Sequence, residues 1–124
     1  MLVGIGVDLV EIERFRAVLA RTPGLRERVF RPDERAYADE KHDPVERYAV
    51  RFAAKEAVMK ALGCGLGEIA MHDIEVRRAE SGEPSVLLHG RAAERAAERG
   101  VTRWLLTLTH TEHLAQAIAV ALGD

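Results

Sequence analysis

From Pro44 to Leu62 the sequence PVERYAVRFAAKEAVMKAL holds no glycine and no internal proline. Asp43 suits a helix N-cap, Pro44 a first helical position, and Gly63 a left-handed stop. The spacing therefore predicts one helix over residues 44–62. At ~100° per residue, Val45, Ala49, Phe52, Glu56 and Met59 fall on one face. Arg47, Arg51 and Lys55 form a separate basic stripe. Most of the remaining circumference is Ala, Val or Leu. A helix that is apolar on several sides has to be covered on several sides, so the rest of the chain must wrap it. With 124 residues, 48% hydrophobic and 31% charged, the chain fits a single domain over residues 1–124 around one core.

The flanking segments supply the wrap. LVGIGVDL, residues 2–9, reads as a strand with Val3, Ile5, Val7 and Leu9 on one face and Leu2, Gly4, Gly6 and Asp8 on the other. Glycines in a strand mark close approach by a ligand or another backbone. Asp8 is accordingly expected to end the strand on a face with room for a ligand. A helix follows over residues 11–21, broken at Pro23-Gly24, and a short one begins at Pro32 with an acidic first turn. HDIEVRRA and SVLLH flank SGEP as a hairpin. RAAERAAER is a helix closed by Gly100. Residues 103–110 form a strand with Trp104, Leu106, Leu108 and His110 on one face. Residues 114–122 are read as the last strand, with helix as the alternative because of their alanines. The fold class expected is α+β, a mostly antiparallel sheet packed around one long central helix.

A net charge of -2 provides no global basic field for nucleic acid. One cysteine, Cys64, excludes an internal disulfide and a cysteine metal cluster. The N-terminus runs into a strand without a basic leader, and no apolar run is long enough for a bilayer. No membrane partner is expected, and the cytoplasm is the expected compartment.

Glu56 is the anomaly in this pattern, a carboxylate inside an apolar stripe. One reading is an i, i+4 pair with Lys60, worth only about 0.2–0.5 kcal/mol when exposed. The other is a hard cation such as Mg²⁺, which takes carboxylates together with phosphates and waters. Asp8 faces the same choice between a strand-end cap and a ligand. His110, at the exit of an apolar strand face, is either structural or aimed into a cleft. Gly63, Gly65 and Gly67 follow a helix rather than a strand, unlike a dinucleotide fingerprint.

Three segments carry a resemblance: GIGVDLVEIERF at 4–15, RFAAKEAVMKALGCGLG at 51–67, and LTLTHTEHLAQAIAV at 106–120. In order, spacing and length they resemble the holo-(acyl-carrier-protein) synthases, the small 4'-phosphopantetheinyl transferases. The resemblance implies that family's transferase fold. It also implies transfer of phosphopantetheine from coenzyme A to a serine of an apo acyl carrier protein, releasing adenosine 3',5'-bisphosphate. By matching positions, Asp8 and Glu56 become Mg²⁺ ligands, and Arg51 and Lys60 become phosphate contacts. Gly63, Gly65, Gly82 and Pro84 line the coenzyme A cleft, with His110 and Thr111 beside its phosphates. Asp8, Glu56, Lys60 and His110 form the catalytic set. The base that deprotonates the serine is Glu56, directly or through a water on the cation, or else His110.

Arg14, Arg21 and Arg28 match carrier-contacting positions, to which Arg16 and Arg26 could add. The resemblance further implies a homotrimer with each coenzyme A cleft at a subunit boundary, and a carrier of fatty-acid or polyketide synthesis. One departure stands out. Some relatives place an acidic residue directly after the equivalent of His110, where this chain has Thr111, with Glu112 one step later. Two competing readings are a non-catalytic module that docks carriers or nucleotides, and a Mg²⁺-dependent phosphohydrolase. Only the transferase needs apo carrier to release the bisphosphate.

Overall fold

The computed structural model describes residues 1–65 and 67–124; Leu66, in the predicted loop after Gly63, lies outside them. The elements are β1 (Leu2–Glu11), α1 (Ile12–Arg21), α2 (Leu25–Val29), α3 (Pro32–Asp39), α4 (Val45–Ala61), a 3₁₀ turn (Met71–Asp73), β2 (Ile74–Arg78), β3 (Pro84–Leu88), α5 (Gly90–Glu98), β4 (Arg103–His110) and β5 (Leu114–Leu122). The central helix, α4, is a spine against which β1, β5, β4, β2, α1 and α3 are laid. β1, β5 and β4 form a three-stranded antiparallel sheet in that order, and β2 and β3 form an antiparallel hairpin. This is the α+β architecture the sequence implies.

The spine starts one residue later than expected, at Val45. Asp43 still caps it, because its carboxylate accepts from the Val45 N–H at 3.2 Å. It ends at Ala61, followed by Gly63 at φ +68°. Its first half, including Tyr48, packs with Ile12, Phe15 and Phe30, and its second half with Ile74 and Val76. Each large side chain buried in these clusters contributes about 1.5–3 kcal/mol.

The sheet lies close on α4 because both contact surfaces are small. β5 turns Ala115, Ala117, Ala119 and Ala121 inward, all buried, with larger residues between them. That period of two is a strand's, so the helix alternative for 114–122 fails despite its alanines. β1 turns Gly4 and Gly6 inward. A Cβ on either would stand 2.0 Å from the carbonyl oxygen of Ala61 or Ala57. The expectation that these glycines leave room for a ligand is therefore corrected: the room is filled by helix backbone. β1's other face, Ile5, Val7 and Leu9, is left exposed, as is Leu105 of β4 on the far side of β5. No helix among the described residues is long and apolar enough to cross a membrane.

Candidate active site

Two groups of polar side chains flank α4. Arg51 and Glu56 are five residues apart on the helix, about 140° around its axis, so they face different neighbours.

The first group is acidic. Asp8 shares the inward face of β1 with Gly6, which brings its side chain beside α4. Lys60 Nζ donates to Asp8 Oδ1 at 3.2 Å and to the Val7 carbonyl at 3.0 Å. Of the two readings of Glu56, the i, i+4 pair with Lys60 is not formed; Lys60 pairs instead with Asp8 on β1. Glu56 is half-buried and forms no ion pair among the described residues. Burial, and then the Asp8 charge, push its carboxyl above the ordinary glutamate value, while Lys60 opposes the shift. Asp8 and Glu56 line a cavity of about 490 Å³ together with Arg14, Phe15 and Phe52. Two neighbouring carboxylates, only one of them paired with a half-exposed ammonium, suit a hard cation that accepts oxygen ligands from elsewhere. They are not a complete protein cage, since no cluster of three or more His, Cys, Asp or Glu groups that could hold a metal occurs among the described residues.

The second group is basic. Arg47, Arg51 and Arg78 bring their guanidiniums to 3.8, 4.3 and 5.0 Å from the Tyr37 ring centre. Cation–π attraction holds mutually repelling charges in one place. Arg47 is paired with Glu40, but Arg51 and Arg78 form no ion pair among the described residues. Burial lowers the Arg51 pKa below the arginine value; Tyr37 and Glu34 oppose the shift, and Arg47 and Arg78 add to it. These arginines border a cavity of about 240 Å³ with Gly82, Pro84 and His110. Gly82 sits at φ +93° in the hairpin turn, where only glycine is unstrained. His110 Nδ1 lies 3.5 Å from Glu46 Oε2.

The structure thus divides the predicted set. Asp8, Glu56, Lys60 and Arg14 meet on one side of α4, and Arg51, Gly82, Pro84 and His110 meet on the other. Thr111 lines neither cavity; its hydroxyl accepts the N–H groups of His113 and Leu114 and closes the β4–β5 turn. Gly63 and Gly65 lie past the C-terminus of α4. Gly65 N–H donates to Glu68, and Arg99 donates to the Leu62 carbonyl beside Gly63. Arg14, Arg21 and Arg28 are exposed without ion-pair partners among the described residues. Arg16 is not free to join them, because Glu13 and Asp43 both hold it. Tyr37 and Arg78 were missed by sequence reasoning. Their signal is three-dimensional, an aromatic ring collecting arginines from α4 and β2.

Residues 4–119 match the family model described as the 4'-phosphopantetheinyl transferase superfamily. The holo-[acyl-carrier-protein] synthase of Moorella thermoacetica is 47% identical, over 93% of this chain and 90% of that protein. That of Desulforudis audaxviator is 48% identical, over 99% of this chain and 95% of that protein. The chain belongs to the holo-[acyl-carrier-protein] synthases of this superfamily. It is an enzyme with that family's fold. The solved synthase of Neisseria meningitidis superposes with a TM-score of 0.87 at 30% identity, covering 98% of this chain and 99% of that one. The Bacillus anthracis synthase, solved in complex with CoA (3',5'-ADP), gives 0.83 at 32% identity, covering 100% of this chain and 99% of that one.

Proposed function

We propose that this synthase transfers 4'-phosphopantetheine from coenzyme A to a serine of an apo acyl carrier protein, releasing adenosine 3',5'-bisphosphate, with Mg²⁺ held by Asp8 and Glu56. The observation that carries the reading is the half-buried Glu56 beside Asp8, two carboxylates of which only Asp8 is paired with an ammonium, that of Lys60. A bound cation there supplies positive charge to the pyrophosphate, which otherwise repels an incoming oxygen.

The chain's own residues do the remaining work. The serine oxygen attacks the phosphorus that stays with pantetheine. The bond from that phosphorus to the oxygen of the bisphosphate breaks, and the leaving oxygen carries away the electron pair. Lys60 is the ammonium placed to offset charge on that oxygen. The serine proton goes to a carboxylate or an imidazole. Glu56 is favoured because it shares its cavity with Arg14, on the side proposed to face the carrier. His110 borders the basic cavity instead, among phosphate-binding groups. Arg51 contacts the phosphates there, with Gly82 and Pro84 admitting the nucleotide close to backbone. Thr111 and the glycines after α4 extend the cleft in this reading. Arg14, Arg21 and Arg28 face the acidic carrier.

Two half-sites on different sides of one helix make a whole site when two copies meet. The homotrimer proposed here meets that need. Support comes from the exposed sheet face of Ile5, Val7, Leu9 and Leu105, a patch of a kind that soluble proteins usually cover. The cytoplasm is the proposed compartment, and a carrier of fatty-acid synthesis the proposed partner.

The test is intact mass of purified apo carrier after incubation with the protein, coenzyme A and Mg²⁺. A gain of one phosphopantetheine, abolished by a chelator, is expected. Bisphosphate release without carrier would favour a phosphohydrolase. No gain on several apo carriers would reduce the chain to a binding module.

A further inference from the structure

In sequence Lys55 belongs to a basic stripe with Arg47 and Arg51. It is fully buried, and its partner Glu34 is almost so. Lys55 Nζ donates to Glu34 Oε1 at 2.9 Å, to the Met71 carbonyl at 3.1 Å, and to the Ile74 carbonyl. All three ammonium protons are used. Glu34 Oε1 also accepts the Arg31 N–H at 2.8 Å, and Oε2 accepts the Val76 N–H at 2.8 Å. One ion pair therefore fastens the start of α3, the middle of α4, the 3₁₀ turn and β2 to a single point.

A buried pair of this kind is a weak source of stability, since desolvation offsets most of the attraction. Its geometric consequence is specific. Tyr37 stands one helical turn beyond Glu34, Arg51 one turn before Lys55, and Arg78 two residues beyond Val76 on the same strand face. These three side chains form the basic cluster, and none of them touches another through covalent neighbours. Their backbones are tied together at Lys55 and Glu34, and α3 is tied to α4 a second time where Arg47 donates to the Tyr37 carbonyl at 2.5 Å.

We propose that the Lys55–Glu34 pair is a positioning device that sets the Tyr37–Arg51–Arg78 cluster for the coenzyme A phosphates; this rests on the transferase reading above. Both side chains are buried, Lys55 at 0% and Glu34 at 1% exposure, although Glu34 borders a cavity of about 310 Å³ with Tyr37, Arg51 and Arg78. The Glu34→Gln/Lys55→Met double variant removes both charges together and nearly keeps side-chain volume. Calorimetric titration with adenosine 3',5'-bisphosphate is expected to show about tenfold weaker binding, the scale of losses when a supporting shell is removed. The KM for coenzyme A should rise in parallel, and the KM for carrier should stay within about twofold. Val58→Ala, a core truncation in the same helix, lowers stability and is expected to leave bisphosphate affinity alone.

Unchanged affinity in a folded double variant overturns the inference, and so does an equal loss in Val58→Ala. If the double variant does not fold, Glu34→Gln alone keeps one acceptor oxygen and should show the same selective loss on a smaller scale; no loss there is equally fatal. Wild-type protein that binds no bisphosphate overturns both this inference and the transferase reading. Wild-type transfer alongside an unaffected variant overturns this inference only.

Discussion

Lys55 and Lys60 stand on the same helix, and each reaches a carboxylate on another element. The two clusters differ in everything else. Lys55 and Glu34 have side chains 0% and 1% exposed, one charge of each sign, and every ammonium proton bonded. Lys60 and Asp8 are 53% and 18% exposed, and Glu56 adds a second negative charge that the lysine does not reach. The first cluster is closed: nothing further can bind without breaking it. The second is open and unbalanced, so a cation or a transferring proton has somewhere to go. Proximity of a lysine to a carboxylate does not separate structure from chemistry here. Completeness of charge and hydrogen bonding does.

The largest effect expected from this contrast is at Glu56. Glu56→Gln should lower kcat by about 10²–10⁴-fold, the range for a positioned base, with the fold intact. Stability should move the other way. Burial and the Asp8 charge raise the Glu56 pKa, so the folded state holds this proton more tightly than the unfolded state does. Ionising the side chain therefore costs stability as pH rises from the ordinary value of 4.5 through the raised one. The variant should gain on wild type across that window, with the gap closing at lower pH. Urea titrations over a pH series, beside transfer assays, check both halves. Full turnover in the variant would remove Glu56 from the chemistry.

Next comes a matched pair of substitutions. Lys55→Met leaves the Glu34 carboxylate buried and uncompensated, which costs about 3–5 kcal/mol. Lys60→Met removes a half-exposed pair worth about 0–1 kcal/mol, yet should cut transfer strongly through its loss of charge at the phosphates. The two variants are expected to exchange places between a stability ranking and an activity ranking. Equal destabilisation would mean that the open cluster is as structural as the closed one.

Much of this molecule is written in local pattern. The α4 segment announces itself by a long apolar circumference ending at Gly63, and β4 by the alternation of Trp104, Leu106 and Leu108, whereas the alanines of β5 leave helix open until its partners are seen. What local pattern does not carry is the identity of the partner. Gly4 and Gly6 state only that a Cβ is forbidden; a ligand and the carbonyls of Ala57 and Ala61 impose the same demand. Lys55 looks like a member of a basic stripe because its partner is on another helix, at Glu34. Lys60 looks paired to Glu56 because i, i+4 spacing is visible in sequence, while the competing Asp8 approaches through the sheet. Asp8, Glu56 and Arg51 were legible as site residues through their resemblance to a family. Arg78 and Tyr37 were not, because each is ordinary until the fold sets them together.

The smallest effect tests whether bond length alone could replace completeness as the criterion. Arg16 and Asp43 make the shortest carboxylate contact of these pairs, 2.7 Å, and Asp43 also accepts the first N–H of α4. Both side chains are substantially exposed. The Arg16 and Val45 hydrogen bonds hold the Asp43 carboxyl down at about 2, below its ordinary value of 3.8. A depressed acid contributes stability above its unfolded pKa and loses it as pH falls through the folded one. The contribution of Asp43 should therefore be complete at neutral pH and vanish between about pH 4 and pH 2. Solvent screening keeps it small. Asp43→Asn is expected to shift the neutral-pH urea midpoint by little more than the error of the titration, with no change in transfer. A loss as large as that of Lys55→Met would show that distance, and not burial with full satisfaction, decides which ion pairs hold this fold.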